Sequence, residues 1–77
     1  MFWIQQTNNK HNNSAYNLYY ADYELDVKNL PTASKVGLQE NGDTVANKKT
    51  CAGSECLVLE TGNVYILRKD TDTWEVL

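Results

Sequence analysis

The chain has little of what small domains usually lean on. Among 77 residues there are two cysteines, one histidine, one proline and four glycines. Cys51 and Cys56 are separated by four residues, and a disulfide across so short a loop would constrain the unfolded chain only weakly. The opening Met1-Phe2-Trp3-Ile4 is apolar, but Gln5, Gln6 and Thr7 follow, so no basic n-region and no long apolar run mark a secretory signal. Both cysteines are therefore expected as reduced thiols in a cytoplasm. Nothing approaches the roughly 20 apolar residues of a membrane span. Cys51, Cys56 and His11 are too few for a closed zinc site, which wants four ligands, and no metal or other cofactor is expected.

Other chemistry is equally scarce. His11 lies in an Asn-rich stretch, and nothing in the sequence pairs it with a cysteine or serine as nucleophilic catalysis requires. Gly37, Gly42, Gly53 and Gly62 never approach G-x-G-x-x-G or a phosphate-binding loop. Asp70 and Asp72 imitate the start of a calcium loop, but the glycine and glutamate that the motif requires further on are missing. Asp22 and Glu24 fall on the solvent side of a predicted strand. The net charge is −3, from 10 acidic and 7 basic residues, and the Lys48-Lys49 pair reads as a solvated turn. Nucleic-acid binding would need a basic stripe. No enzyme activity, small-molecule substrate, nucleic acid or membrane is expected.

What is present points to β structure. "MFWIQQT" (1–7) carries β-favouring residues and reads as a strand. "NNKHNNS" (8–14) cannot build a core and reads as a loop or hairpin tip. In "AYNLYYADYEL" (15–25) Tyr19, Ala21, Tyr23 and Leu25 alternate with Asp22 and Glu24, a period of two. Tyrosine favours strands, although Tyr16, Tyr19, Tyr20, Tyr23 and Val27 also fall at helical spacing. Asp26 can cap a single helical turn over 27–30, which Pro31 ends. Residues 32–55 hold three of the four glycines and read as a long loop with one short strand near 35–38. A loop of that length in so small a domain is functional or ordered by a partner.

The last third, residues 56–77, reads as a three-stranded meander. "CLVLET" and "VYILRK" flank Gly62-Asn63, a two-residue hairpin signal. "DTD" then turns into "TWEVL". In that register Leu57, Leu59, Val64 and Ile66 share one face, joined by Trp74 and Val76, and these six are the expected core. Val58, Tyr65 and Leu67 form a second apolar stripe on the other face. A chain this short lacks the length to cover both faces, and uncovered apolar area marks an interaction site. Val58, Tyr65 and Leu67 are thus the expected interface: Tyr16, Tyr19, Tyr20 and Tyr23 are expected to cover one face and a second copy the other. The predicted fold is one small, mainly β, antiparallel domain over 1–77, with about five strands and one short helical turn.

The order of these segments also resembles small virion-associated proteins, head-fibre or tail-associated, of phages and prophages of Gram-positive bacteria. There an "LPT" turn precedes a "G-S-x-x-x-V-x-x-T-G-x-V-Y-x-L" hairpin and a closing tryptophan strand. The matching residues are Leu30, Pro31, Thr32, Gly53, Ser54, Val58, Thr61, Gly62, Val64, Tyr65, Leu67 and Trp74. The resemblance covers residues 26–77 and implies no catalytic residue. It implies a structural or assembly protein, located in a virion or a bacterial host cytoplasm, that forms a homo-oligomer and binds a larger virion protein. Two other roles fit the sequence. One is a small intracellular inhibitor of a host protein. The other is a carbohydrate-binding module that stacks sugars on Tyr16, Tyr19 or Tyr20.

Overall fold

In the computed structural model, which describes residues 1–9, 15–39 and 42–77, five strands form one sheet in the order β1 (Phe2–Asn9), β2 (Ala15–Ala21), β3 (Glu55–Val58), β4 (Val64–Leu67), β5 (Trp74–Val76). The mainly β class and the five strands agree with the alternating pattern of the sequence. Three of the neighbouring pairs are antiparallel, but β2 and β3 run parallel, so the sheet is mixed. A parallel pair cannot be closed by a tight turn and needs a crossover. That crossover, residues 22–54, contains a 3₁₀ helix (Glu24–Asn29) and one turn of helix, α1 (Thr44–Asn47). The expected long loop is therefore a connection with structure of its own, and residues 35–38 are irregular, not a strand. Asn8 and Asn9, expected in the loop over 8–14, instead end β1, and the remainder of that loop, with His11, lies outside the described residues.

Local chemistry sets the crossover's ends. The Tyr23 N–H donates to the Asp26 carboxylate at 2.9 Å, which ties off the first turn of the 3₁₀ helix. Asp26 thus sits inside the turn that it was expected to precede. Leu30-Pro31 stops the helix, since the residue before proline is pushed to extended backbone; Leu30 has ψ 146°. Asp43 caps α1 by accepting from the N–H groups of Val45 and Ala46 at 3.1 and 3.0 Å. Gly37 is needed for space: a Cβ there would lie 2.9 Å from Pro31 Cδ and 3.0 Å from Phe2 Cζ.

The described residues of the crossover cover one face. Val27, Leu30 and Ala46 from it pack on Phe2, Tyr19, Ala21, Cys56 and Val58 from the sheet, with Ile4, Tyr65 and Trp74 at the margin. The register places Ile4, Tyr19, Cys56, Tyr65 and Val76 in one row across all five strands on this face. Small residues matter here. Ala21 and Cys56 leave room for Val27 and Ala46 beside the large rings, and Tyr19 meets Phe2 and Trp74 edge to face at centroid distances of 6.1 and 5.9 Å. The Trp74 indole N–H donates to the Pro31 carbonyl at 2.9 Å, so its polar edge is satisfied while the ring is half-buried.

The buried face is the one whose residues were expected to meet a partner. Val58 and Leu67 are 0% and 1% exposed, and Tyr65 is half-buried against the core. The expected core residues Leu57, Val64 and Ile66 are half-buried on the opposite face, while Leu59 and Val76 are exposed. Two connections explain the exchange. The β3–β4 link spans 59–63, not two residues; Gly62, at φ 78°, supplies its left-handed position. This shifts the pairing to Leu57 opposite Val64 but keeps which residues share a face. The β4–β5 link spans 68–73, not three residues, and pairs Trp74 with Leu67. A one-residue slip moves a strand's side chains to the other face. Trp74 therefore packs at the margin of the core, in the company of Leu67 and not of Ile66.

Leu67→Ala should lower the unfolding free energy by about 2–5 kcal/mol, the usual cost of a buried large-to-small change. Leu59→Ala should change it by no more than about 0.5 kcal/mol. Urea denaturation of the two variants checks the assignment of faces, and equal effects would overturn it.

Candidate functional site

The face away from the crossover is the strongest candidate. Trp3, Tyr20, Leu57 and Val64 stand in one register row across four adjacent strands. The next row reads Gln6, Leu18, Glu55, Ile66 and Glu75. Alternation dictates this arrangement: each apolar residue is next in sequence to one whose side chain enters the core. The six apolar members of the two rows are half-buried, held by their neighbours in the sheet, and Gln6, Glu55 and Glu75 are exposed. Trp3 and Tyr20 meet edge to face at 6.0 Å. Both helices contribute their buried residues, Val27 and Ala46, to the opposite side. Among the described residues no helix or strand packs across this face. The Trp3–Val64 row is an unbroken apolar strip; in the next row Glu55 separates Leu18 from Ile66, and Gln6 and Glu75 stand at the two edges.

Polar ties hold the crossover to its own face. The Glu24 carboxylate accepts from Thr61 Oγ1 at 2.5 Å, Asn63 Nδ2 at 2.7 Å and the Tyr65 hydroxyl at 2.5 Å. These bonds fasten the 3₁₀ helix to the β3–β4 connection, and the Thr61 and Tyr65 hydroxyls pull the Glu24 carboxyl below its ordinary value. Asp72, in the left-handed region at φ 54°, accepts from Thr32 Oγ1 and the Ala33 N–H at 2.8 Å each, and also from Ser34. The Ser34 hydroxyl is the main cause that lowers the Asp72 carboxyl. Tyr65, expected at an interface, instead spends its hydroxyl on Glu24, which raises its own titration.

A buried polar cluster lies beneath α1's side of the sheet. Asn17 is 8% exposed. Its amide donates to Thr50 Oγ1 at 2.8 Å and to the Tyr19 hydroxyl at 3.3 Å, and its carbonyl oxygen accepts from Thr7 at 2.9 Å. Ser54 Oγ accepts from the Asn17 N–H at 3.1 Å and lies 2.8 Å from Thr50 Oγ1. Every polar atom of the Asn17 side chain is thereby used, which is what burial of an amide demands. Asn17 was passed over in the sequence, although it occupies an inward position of the Ala15-Asn17-Tyr19-Ala21 alternation. Burial raises the Tyr19 phenol and pushes the Cys56 thiol up to about 12, so neither is an activated group. Both cysteines are free thiols, Cys56 buried and Cys51 half-buried. Among the described residues no three His, Cys, Asp or Glu side chains are grouped to hold a metal ion, and no helix is long and apolar enough to cross a membrane.

No family model, curated protein or solved structure matches this chain.

The two carboxylate ties give the fold a pH dependence of definite sign. Glu24 and Asp72 titrate lower in the folded chain than when unfolded, so they favour the fold above the ordinary carboxylate range and lose that contribution as pH falls through their folded values. Thermal midpoints should fall between about pH 5 and pH 2, and the double variant Glu24→Gln, Asp72→Asn should show a shallower fall. An unchanged slope would remove these two groups as its source.

Proposed function

We propose that this chain is a non-enzymatic structural or assembly component of a phage particle, acting through self-association and through contact with a larger virion protein. The observation that carries the reading is the uncovered row of Trp3, Tyr20, Leu57 and Val64. A sheet face of this kind contributes to stability only when something covers it, because apolar area left in water forgoes roughly 25 cal/mol per Å². The contact surface is thus the face opposite Val58, Tyr65 and Leu67. The resemblance of residues 26–77 to small virion-associated proteins supports a partner in the phage particle, with the chain in the virion or, before assembly, in the host cytoplasm. Activated nucleophiles and metal-ligand groupings play no part in such a role.

Of the two other roles, carbohydrate binding loses one of its platforms, since Tyr19 is 0% exposed; Tyr16 and Tyr20 remain half-buried on the uncovered face. An intracellular inhibitor would use the same face on a host protein. Capture from an infected-cell lysate separates them: virion proteins are recovered under the assembly reading, a host protein under the inhibitor reading.

Leu57→Glu places a charge at the centre of the row and leaves the core face untouched. In high salt, where charge contacts are screened, it should weaken self-association about tenfold or more, the factor that 1.4 kcal/mol of lost contact gives. Sedimentation velocity with a far-UV circular dichroism control checks this, and Val64→Lys serves as a second variant. Self-association unaltered in both would remove the face from the mechanism.

A further inference from the structure

Most of the basic residues of this chain gather at one end of the sheet. Lys48, Lys49, Arg68 and Lys69, four of the seven basic residues, line one open groove of about 1110 Å³ together with a single acid, Asp70. Of the nine other anions, Glu55 opens β3 and Glu75 lies 3.7 Å from Arg68 at this same end. The groove lies where β2 and β3 begin and β4 ends. Cys51 donates its N–H to the Ala15 carbonyl at 3.0 Å, and Gly53 donates to the Leu67 carbonyl at 2.9 Å. These bonds bring the 48–53 segment beside the 66–70 segment. Arg68 is engaged by Asp70 at 2.9 Å and by Glu75 at 3.7 Å. Lys48, Lys49 and Lys69 are exposed and make no ion pair among the described residues. In the sequence the lysine pair is an ordinary turn, and Arg68-Lys69 belongs to a strand; only the fold joins them.

The opposite end, where β2 and β3 finish and β4 begins, carries Asp22, Glu24, Asp26 and Glu60. Glu60 donates its N–H to the Asp22 carbonyl at 3.1 Å, and the Glu24 N–H donates to the Glu60 carboxylate at 3.2 Å. Two cations temper this end: the Met1 ammonium, 2.7 Å from Asp26 and 3.8 Å from Asp22, and Lys28 on the 3₁₀ helix. The acids still outnumber them. Asp22 is half-exposed and Glu60 is exposed. The seven residues of β2 hold the two ends roughly 20 Å apart at about 3.3 Å per residue, beyond the Debye length of about 8 Å at physiological salt. The ends therefore do not neutralise one another within a molecule. Between molecules they are complementary, which steers encounter and fixes orientation.

We propose that copies of this chain associate head to tail, the Asp22–Glu60 end of one copy seated at the Lys48–Lys49–Lys69 groove of the next. The contact is heterologous and leaves one basic and one acidic end free at each addition, so it builds open chains or closed rings. It rests on the self-association reading above but uses a different surface, and the two are separable by salt. The apolar face resists ionic strength; the charged ends do not.

The test is sedimentation velocity in the Leu57→Glu background, where the apolar face is disabled. That variant should still associate in dilute buffer, and about 0.5 M salt should raise the dissociation constant about tenfold or more. Triple reversal (K48E, K49E and K69E) and double reversal (D22K and E60K) should each give monomers. An equimolar mixture of the two should restore association with the variants alternating, because the acidic end of the triple variant matches the unaltered groove of the double variant and the basic end of the double variant matches the reversed groove of the triple variant. Where a reversal disturbs the circular dichroism spectrum, the neutral sets K48Q, K49Q, K69Q and D22N, E60Q should weaken association in smaller measure. Monomeric Leu57→Glu in dilute buffer, beside an associating parent, overturns head-to-tail assembly and leaves the apolar face standing. Association of parent and Leu57→Glu that is equally salt-sensitive overturns the role of the face and leaves the ends standing. A monomeric parent overturns both.

Discussion

The parallel pairing of β2 with β3 governs the remainder of the molecule. Leu18 to Ala21 beside Glu55 to Val58 forces residues 22–54 to travel the length of the sheet before the chain can pair again. A segment making that journey has to lie against one face, and it carries Val27, Leu30 and Ala46 with which to bury it. Among the described residues the other face receives nothing comparable. One pairing thus decides where the core forms, which apolar residues are left half-covered, and why Lys48 and Lys49 arrive next to the end of β4.

The core so formed is small, and polar ties supplement it. Glu24 fastens the 3₁₀ helix to the β3–β4 connection, Asp72 fastens the β4–β5 connection to residues 32–34, and Asn17 ties β2 to Thr50 and Ser54. Each lies at a different point on the crossover's path. Fully satisfied polar groups of this kind contribute little net energy apiece but penalise every alternative placement that would strand them. They serve as registration marks for a segment whose described residues form two short helical pieces.

Strands were legible where alternation was strong. Tyr19 and Ala21 against Tyr20, and Val58 against Leu57 and Leu59, announced two faces correctly. Which face would be covered was not legible, because both are apolar and the decision is made by a long-range parallel pair that no local signal encodes. The meander is antiparallel, as its turn signals suggest, but Gly62-Asn63 and "DTD" resemble tight turns and longer connections form in both places. In the second, Asp72 in a left-handed conformation changed the register by one and carried Trp74 across. Asn17 was readable from its inward position alone. The joining of Lys48-Lys49 to Arg68-Lys69 was not, since it exists only after the crossover is laid down.

Cys56 sits at the centre of the β2–β3–β4 junction, 0% exposed, with a proton that burial holds tightly. Cys51, in the 48–53 segment, is half-buried. A thiol reagent therefore meets two clocks in one polypeptide. Modification of Cys51 reports loosening of the segment beside the groove, whereas modification of Cys56 must wait until the strands themselves part. The interval between the two labelling rates measures how far local fraying is from global opening, without any introduced probe.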